Sequence, residues 1–485
     1  MRDKMLDLTR QMCNSYKYPV SKVFILTTVF WASQVSATTG YFALGYGPKS
    51  NGMAGATVAA PQDAMTGAVN PAGISMVGER VDLSLRAFNP QRNASLDTRA
   101  VGGQYKVEDK SDKTWFFIPG AGITTSLTDD LWLGFTLYGN GGMNTSYSRN
   151  IYDESAAVLG AYAQGGPAGA ASVPEGTGTG TKDTGRLGVD LQQAILASTL
   201  SFKIHPKHSI GISALLGVQS FEAKGLGNFQ CFTETAATNN QQACSPGHAG
   251  PATPGFQGSD NLTNNGKDWA YGVGVRVGWI GEVLPKVTLG GAVTSKIYMT
   301  KFDEYKELFA ENGRFDIPAH FQVGISVRPL EPLQLSFDFQ RIFYSDVKSI
   351  ANNGPVASQF GPSIPSGSGA LGAGNGLGFG WDDINVFRIG GSYEVNKELT
   401  FRAGYSWNDS PISNDEILFN IVAPAVITRH ITAGLTYSPN DRSEWHLTYT
   451  YAFHESQNDS SSAFGVPASI SMHQNAIGVG YSWKY

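Results

Sequence analysis

Charged side chains are scarce in this sequence of 485 residues: Asp, Glu, Lys and Arg together make up 15% of it. The 35 basic residues are outnumbered by 40 acidic ones, and a net charge of -5 gives no basic surface for nucleic acid. No apolar run reaches about 18 residues, which excludes membrane-spanning helices. Glycine is abundant, with 58 residues, and aromatic residues make up 11%. This balance is typical of a β-rich chain with many turns.

The first 37 residues have the pattern of a secretory signal peptide. Lys17 and Lys22 precede an apolar run, Val23–Ala32, and small residues then lead to Ala37. A basic segment, a short apolar segment and a small-residue site, in this order, predict cleavage on export. We expect residues 1–37 to be removed; a buried core helix over the same run is the alternative.

Cysteine is rare, with three residues in the chain. Cys13 would leave with the signal peptide, and Cys231 and Cys244 would remain in a polar segment. An even number of cysteines in an exported protein predicts one disulfide, Cys231–Cys244. A zinc site would need more ligands, and only His248 is close. The sequence therefore predicts neither a metal nor another cofactor.

A stretch poor in charge runs from Gly45 to Gly73, with Lys49 and Asp63 as its charged side chains. It has neither the period of a surface helix nor the alternation of a strand, and Gly, Pro and Asn recur throughout. A flexible linker is one interpretation, but linkers are rarely this apolar. We therefore expect a plug that is packed inside a larger structure.

Prolines predict the local structure of this plug. Pro61 predicts a short helix over Gln62–Met65, because a proline is tolerated in the first turn of a helix. Pro71 forces Asn70 toward an extended conformation, which ends the helix and leaves the Asn70 amide to bond nearby backbone.

The rest of the chain alternates apolar and polar residues at a period of two. In Trp269–Trp279, Leu333–Gln340 and Phe401–Asn408, one face is apolar and the other is polar or small. A soluble β-sandwich and a membrane β-barrel both give this pattern. Aromatic residues at the ends of apolar faces, strands of about 9–11 residues, and short turns alternating with long loops favour the barrel. The predicted fold class is therefore all-β, an antiparallel transmembrane barrel.

The pattern predicts fourteen strands, an even number that suits a bacterial barrel. Their predicted starts are Val81, Trp115, Leu131, Leu187, Ser209, Trp269, Lys286, Arg314, Leu333, Asp382, Glu398, Ile427, Trp445 and His473. The last strand alternates up to Tyr485, which resembles the signal read by the outer-membrane assembly machinery. We expect that machinery, membrane lipid and lipopolysaccharide as partners, and a monomeric chain.

The predicted plug resembles the N-terminal hatch of the FadL/TodX family (OmpP1/FadL/TodX) of outer-membrane transporters for hydrophobic compounds. The matching positions are Gly45–Gly47, Lys49–Ser50, Gly52–Met53, Pro61–Ala64 and Asn70–Gly73. Later matches are Gly139–Asn144, Arg341–Val347, Trp381–Asp383, Phe401–Gly404 and Asn408–Pro411. The resemblance implies a hatch over residues 38–78 inside a Gram-negative outer-membrane barrel over residues 79–485. Long extracellular loops are expected near residues 144–185, 225–267 and 349–380.

The resemblance also implies a route for a hydrophobic solute beside the hatch. The residues expected to bind or gate it are Phe42, Leu44, Met53, Met65, Asn70, Pro71, Ala72, Ile74 and Met76. Plain packing of the plug is the alternative. In this family a kink in the third strand opens the wall laterally. Gly139, Gly141 and Gly142 are the matching residues, unless they only form a tight turn.

Several charged residues fall on the faces that should line the lumen. They are Arg276, Arg328, Asp338, Arg388 and Arg402. Buried charges of opposite sign are expected to pair, so that these residues fill the barrel and anchor the hatch. The alternative is a clamp for the carboxylate of an acid substrate.

These features together predict a channel for passive uptake of hydrophobic molecules, which bind in the lumen and leave sideways into the membrane. Long-chain fatty acids and aromatic hydrocarbons both remain open as substrates. A porin for small hydrophilic solutes and a structural or adhesive barrel are the alternative functions. An enzyme is not expected. The dinucleotide-like Gly367–Gly372 lies in a Gly/Ser/Pro loop, and no G-x-S-x-G or H-E-x-x-H motif occurs.

Overall fold

The computed structural model describes residues 39–179, 185–239, 260–355 and 369–485. The predicted signal peptide and Cys244 lie outside these residues. Sixteen β-strands occur in the described ranges. They are β1 (Arg80–Leu96), β2 (Val107–Lys110), β3 (Phe116–Ser126), β4 (Leu131–Asn144), β5 (Gly188–His205), β6 (His208–Lys224), β7 (Asp268–Leu284), β8 (Val287–Thr294), β9 (Tyr298–Met299), β10 (His320–Leu330), β11 (Leu333–Ile342), β12 (Ile384–Glu394), β13 (Leu399–Asn408), β14 (Arg429–Asn440), β15 (Ser443–Asp459) and β16 (Ala468–Lys484).

Fourteen of these strands form a closed antiparallel barrel, as predicted. Each pairs with its neighbours along the chain, and β16 closes the ring by pairing with β1 from Arg80↔Lys484 to Leu96↔Ala468. The two remaining strands, β2 and β9, add to β1 and β7. Closure removes the two free edges that an open sheet would expose.

The two faces of the barrel wall differ as the period of two predicts. On β7, Val273 and Val275 point outward and are 60% and 46% exposed, whereas Arg276 points inward and is 1% exposed. Exposed apolar side chains recur on the outer face of every long strand, for example Leu447 and Tyr449 of β15. An apolar outside and a polar inside are what a barrel in a bilayer requires.

The connections differ at the two ends of the barrel. At one end, the short-turn end, neighbouring strands are joined by two to four residues, as in Pro285–Lys286. At the other, the long-loop end, the connections 145–187, 225–267, 343–383 and 409–428 carry most of the helices. The last of these four was not singled out from the sequence.

Helical segments are short, apart from one in the first long loop. They are α1 (Gly47–Gly52), α2 (Ile151–Ala171, interrupted at Gly166), α3 (Glu234–Asn239), α4 (Ala310–Gly313), α5 (Lys348–Ala351) and α6 (Ile417–Asn420). Single 3₁₀ turns occur at Ala64–Ala68, Pro71–Met76, Thr98–Val101, Gly227–Phe232, Asp303–Tyr305, Tyr344–Asp346 and Asn414–Glu416. Within the described ranges, no helix is long and apolar enough to cross a membrane.

Twelve of the fourteen predicted strand starts lie within two residues of an observed start, and two do not. β10 begins at His320 rather than near Arg314, because Pro318 lacks an N–H for the ladder and Ile317 forms only an isolated bridge. β16 begins at Ala468 rather than near His473, because it stays paired with the equally long β1 as far as Leu96↔Ala468.

The helix predicted after Pro61 was misplaced. The observed turn is Ala64–Ala68, and its N-cap is Asp63, whose Oδ1 accepts a hydrogen bond from Met65 N–H at 3.0 Å. A carboxylate in this position satisfies a free N–H of the first turn, which the proline ring does not do.

Cys231 lies in the turn Gly227–Phe232 and is disulfide-bonded. Its predicted partner lies outside the described residues, so the pairing with Cys244 stays a prediction.

Candidate functional site

Residues 39–78 lie inside the barrel, and we divide them into an arm (residues 39–46) and a body (residues 47–78). The body bonds to strands on several sides of the wall. Val58 N–H donates to Asp338 Oδ2 at 2.8 Å, and Ala64 N–H donates to Asp82 Oδ2 at 2.7 Å. Ala54 N–H donates to Thr432 Oγ1 at 3.0 Å. These contacts reach β1, β11 and β14, so the body closes the cross-section.

Asn70 ties the body to the wall in the way that the Asn-Pro pair predicts. Its Nδ2 donates to Val58 C=O at 2.9 Å and to Trp279 C=O at 3.0 Å. Its Oδ1 accepts from Ala72 N–H at 3.1 Å and so caps the turn Pro71–Met76. A Cβ at Gly278 of β7 would lie 2.2 Å from Asn70 Oδ1. Only glycine allows this approach of hatch to wall.

An ion-pair network that the sequence did not reveal holds the body near the short-turn end. Lys49 Nζ lies 2.5 Å from Glu444 Oε2, and Arg80 Nη2 lies 3.0 Å from the same oxygen. Arg80 also pairs with Asp82 at 2.8 Å. Lys49 was noted as a rare charge in this stretch, but spacing alone gives no indication of a partner on β15.

The lumen charges are placed as expected except for one, but they do not pair as expected. Arg276, Asp338, Arg388 and Arg402 are buried, at 9% exposure or less. None of the three arginines forms a salt bridge with a described residue. They bond amide and hydroxyl groups instead: Arg276 Nη1 donates to Gly67 C=O at 3.0 Å, and Arg402 Nε donates to Gln62 Oε1 at 3.0 Å. The prediction of opposite-charge pairs was wrong, because neutral groups of the hatch and of the wall accept the hydrogen bonds; the acceptor for Arg388 is Gln340 of β11.

Arg328 does not line the lumen. It belongs to the alternate residues of β10 that face inward, but it lies only two residues before the end of the strand at Leu330, at the short-turn end, where its side chain is exposed.

The wall is interrupted between β3 and β4, and we call this interruption the lateral gap. The two strands pair as far as Gly120↔Tyr138, and no pair among the described residues continues beyond it. Yet β3 stays paired with β1 as far as Phe116, and β4 stays paired with β5 as far as Asn144. The strands therefore part over four residues of β3, 116–119, and six of β4, 139–144.

Two features of the sequence explain the lateral gap. Pro119, the residue before the last pair, has no N–H to donate to β4. In β4, Asn140 is an extra residue between Gly139 and Gly141, a bulge that bends the strand. The glycines were predicted to kink this strand, whereas the contribution of Pro119 was missed, although its position in an alternating strand was a signal.

The backbone of β4 beside the gap bonds the arm. Ala43 N–H donates to Asn140 C=O at 2.9 Å, and Gly142 N–H donates to Tyr41 C=O at 3.0 Å. A Cβ at Gly141 would lie 1.9 Å from the Tyr41 carbonyl oxygen, so this position accepts glycine alone. The arm thus lies directly against the opening in the wall.

Aromatic side chains surround the arm. The rings of Tyr344 and Trp381 lie 5.6 and 6.0 Å from that of Tyr41, and the ring of His320 lies 5.3 Å from that of Phe42. Tyr344 Oη donates to Thr39 C=O at 2.8 Å and accepts from Tyr41 N–H at 3.2 Å. Among these residues only Phe42 was predicted for the site, although Tyr344 and Trp381 belong to segments that resemble the family.

The other hatch residues expected on the route are mostly enclosed. Leu44, Met53, Met65, Ala72 and Ile74 are at most 2% exposed. Met76 is 39% exposed at the end of its turn, so it does not line an enclosed route.

The long loops meet above the arm in an aromatic cluster. Phe229 lies 4.9 Å from Tyr152 and 5.2 Å from Phe419, ring centre to ring centre. Tyr152 Oη donates to Leu418 C=O at 2.7 Å. Burial raises the pKa of Glu416 in the same region, and Gly354 N–H donates to its carboxylate at 2.8 Å. All four long loops therefore contribute to one packed, apolar lid.

Two small cavities border the lateral gap. One is lined by Phe88, Phe116, Gly142 and Met143, and the other by Tyr46, Met65, Tyr138 and Gly139, among other residues. Each has a volume of about 30 Å³. A cavity of about 150 Å³ holds a benzene molecule. Passage of a solute therefore requires side chains or the arm to move.

A family model matches the sequence of this chain, and solved structures match its fold. The model of the outer membrane protein transport protein family (OMPP1/FadL/TodX) matches residues 177–485. The chain belongs to this family. The recognition made from the hatch and strand motifs is confirmed, although the matched residues do not include the hatch. Membership places the chain in the outer membrane, in a family of transport channels.

Solved structures of transporters share the fold. The P. putida toluene transporter TodX matches with a TM-score of 0.64 and 19% identity, covering 91% of this chain and 99% of that one. The Ralstonia pickettii toluene transporter TbuX gives 0.58 and 18%, covering 91% and 99%. A Pseudomonas aeruginosa FadL homologue gives 0.61 and 14%, covering 93% and 100%. No curated protein sequence matches.

Proposed function

We propose that this protein takes up hydrophobic small molecules passively and releases them sideways, through the lateral gap, into the outer membrane. The solute enters at the aromatic lid, moves past the arm, and leaves between β3 and β4. Burial of apolar surface drives each step, at about 25 cal/mol per Å². No energy source is needed, because the membrane interior is the final apolar phase.

The observation that supports this proposal most directly is the break in the β3–β4 ladder beside the arm. Backbone groups in the hydrocarbon region need partners, so a barrel strand is expected to stay paired along its length. Here the arm satisfies two such groups of β4. If the arm moves, the gap connects the lumen to lipid.

The body of the hatch weighs against the alternative function of a porin. An open porin needs a water-filled passage along its axis. In this chain the body reaches β1, β11 and β14 and fills the cross-section. Liposome swelling in sugar solutions separates the two functions, because a plugged barrel passes sugars slowly.

Deleting Asn140 tests the lateral route. Without the bulged residue, β4 continues in regular register, and the gap should narrow because its main bend is gone. We expect uptake of labelled oleate and of labelled toluene by cells to fall at least about tenfold. This is the factor expected if the free-energy barrier for leaving through the gap rises by about 1.4 kcal/mol or more.

The matched control is deletion of Ile204, at the irregular pair between Lys203 and His205 of β5, at the short-turn end. It should leave uptake unchanged. Normal uptake by the Asn140 deletion, with folded barrel in the membrane, would contradict lateral release.

A further inference from the structure

A groove runs across the lipid-facing side of the barrel, and we call it the outer groove. It crosses the adjacent strands β4, β5, β6, β7, β8 and β10 and has a volume of about 630 Å³. Its borders are outward apolar side chains such as Ile210, Val277 and Val293, which are 45%, 47% and 56% exposed. Because these side chains point away from the lumen, the outer groove is separate from the hatch and from the lateral gap.

Gly291 of β8 keeps the outer groove open. The strand register places it between Trp279 of β7 and Val323 of β10, so that a side chain is missing from a row of apolar residues. A Cβ on Gly291 would have Val323 Cγ1 at 3.5 Å as its nearest neighbour, which is ordinary contact. At the next residue, Gly290, a Cβ would lie 2.4 Å from Val58 C=O of the hatch. Packing of the wall therefore requires glycine at position 290 but not at position 291.

The dimensions of the outer groove match those of one acyl chain. Six adjacent strands spaced about 4.8 Å apart give it a length of about 24 Å. At about 25 Å³ per carbon, the value for benzene in a cavity of about 150 Å³, its volume has room for about 25 carbons. The two rows of side chains that border it lie two residues apart along each strand, which is about 7 Å. A helix is about 10–12 Å across, so a helix or a second barrel is too wide to enter.

The outer groove rises from the short-turn end toward the middle of the membrane. On β4 it begins at Leu131, the first residue of the strand. On β10 it reaches Val323, whereas that strand ends at Leu330. With a rise of about 3.3 Å per residue and a tilt of about 40°, Val323 lies about 18 Å above the turn, well inside an apolar band about 25 Å tall. Short turns of outer-membrane barrels face the periplasm, so the outer groove opens in the inner leaflet.

A basic turn lies where the outer groove meets the short-turn end. The four residues that join β5 to β6 read His-Pro-Lys-His. The rings of His205 and His208 lie 5.6 Å apart, and the ring of His208 stacks on that of Trp279, a border residue, at 5.9 Å. Lys207 Nζ lies 2.7 Å from Glu282 Oε1, but this ion pair is exposed and therefore weak. Hydrogen-bond donors thus gather at the level of the inner-leaflet head groups.

We propose that the outer groove binds one phospholipid of the inner leaflet, with an acyl chain in the groove and the phosphate at Lys207 and His208. A lysine ammonium and an imidazole N–H both donate charge-assisted hydrogen bonds to a phosphate. An apolar groove that is one chain wide and ends at such donors has the head-and-tail chemistry of this lipid. The acyl chain fills the space that the wall leaves at Gly291.

Gly291→Leu tests the groove, because the new side chain fits beside Val323 and takes the place of the acyl chain. Native mass spectrometry of the purified barrel in detergent, mixed with dioleoylphosphatidylethanolamine, measures the bound lipid. We expect one tightly bound lipid in wild type and at least about tenfold weaker binding in Gly291→Leu, the factor of losing contacts with about two buried CH₂ groups. The matched control is Gly391→Leu, at an outward glycine of β12 where a Cβ would have Leu335 Cδ2 at 3.2 Å. It should bind the lipid as wild type does.

A matched pair of lipids tests the head group. Dioleoylphosphatidate and dioleoylglycerol share both acyl chains and differ in the phosphate. Wild type should bind the phosphatidate at least about tenfold more tightly, the factor of one charge-assisted hydrogen bond. Lys207→Met should reduce this ratio by weakening the phosphatidate alone. Lys397→Met, at an exposed lysine in the short turn between β12 and β13, should leave it unchanged.

The two tests are independent, because Lys207 is exposed and its replacement leaves the wall intact. Equal lipid binding by wild type and Gly291→Leu would overturn the site in the outer groove. Equal affinities of wild type for the two lipids would overturn the role of the basic turn. A pair of barrels without lipid in the mass spectrum, lost in Gly291→Leu, would show that a second copy of the chain covers the groove, and would overturn the proposal. Uptake of labelled oleate by cells should be normal in Gly291→Leu, since the lateral gap is unchanged.

Discussion

The arm and the body of the hatch are held in different ways. The body is fixed by side-chain bonds to strands on several sides, including the pair of Lys49 with Glu444 at 2.5 Å. The arm is held by two backbone bonds to the bulged part of β4, by Tyr344, and by ring contacts. In the proposed function, the body is the seal and the arm is the part that a ligand displaces. The position of the lateral gap, beside the arm and not beside the body, agrees with this division of roles.

The largest effect is expected from breaking the ion-pair network of the body. Glu444→Gln leaves Lys49 buried without its partner, and removal of one member of a buried pair costs about 3–5 kcal/mol. We expect a lower urea midpoint and a rise in single-channel conductance to ions, because the seal loosens. Glu282→Gln is the control, since its pair with Lys207 is exposed at the rim and contributes about 0–1 kcal/mol. Equal midpoints for the two variants would show that the network does not fix the body.

An intermediate effect is expected from overpacking the body. Ala72 is fully buried, and a Cβ at Gly211 of β6 would lie 2.5 Å from its backbone nitrogen. Ala72→Trp therefore has no room and should cost about 1–3 kcal/mol and displace the turn. Cells with this variant should take up less labelled oleate. Met76→Trp, in the same turn but exposed, should behave as wild type. An equal loss of uptake in Met76→Trp would contradict the role of the packed body as a seal, because burial of the substituted residue would then make no difference.

The smallest effect is expected in the arm. Tyr344→Phe removes the hydroxyl that bonds Thr39 and Tyr41, at a cost of about 1 kcal/mol. Limited proteolysis of the folded barrel should then cut the arm faster, with little change in the urea midpoint. Tyr41→Phe is the matched control, because the Tyr41 hydroxyl has no partner among the described residues. Faster cleavage in the control, or none in Tyr344→Phe, would show that this hydroxyl does not anchor the arm.

Much of the fold could be predicted, because the side chains of a barrel strand alternate between the outer and the inner face and so give the sequence a period of two. That period assigns a face to each side chain, and Arg276 and Arg402 do point inward. It says nothing about depth along the barrel axis. Arg328 was therefore assigned to the correct face of β10, but it is exposed, because it lies at the short-turn end and not in the lumen.

The candidate site was predicted less completely, because its contacts join distant parts of the chain. Asn70 and the glycines of β4 could be identified, since their backbone constraints are local. The partner of Lys49 is 395 residues away, and the hydroxyl of Tyr344 bonds an arm 303 residues before it.

The seam between β1 and β16 sets an order of events for biogenesis. The first and last strands pair along 17 residues, from Arg80 to Leu96, so the ring cannot close until the end of the chain has been made. The hatch precedes β1 and is enclosed by the finished ring, bonded to β1, β11 and β14. We therefore expect the hatch to be enclosed while the sheet is still open. Lys49 contacts Glu444 of β15, next to the seam, so we expect the hatch to help bring the closing strands together. Because these contacts join distant parts of the chain, we expect this folding step to be slow.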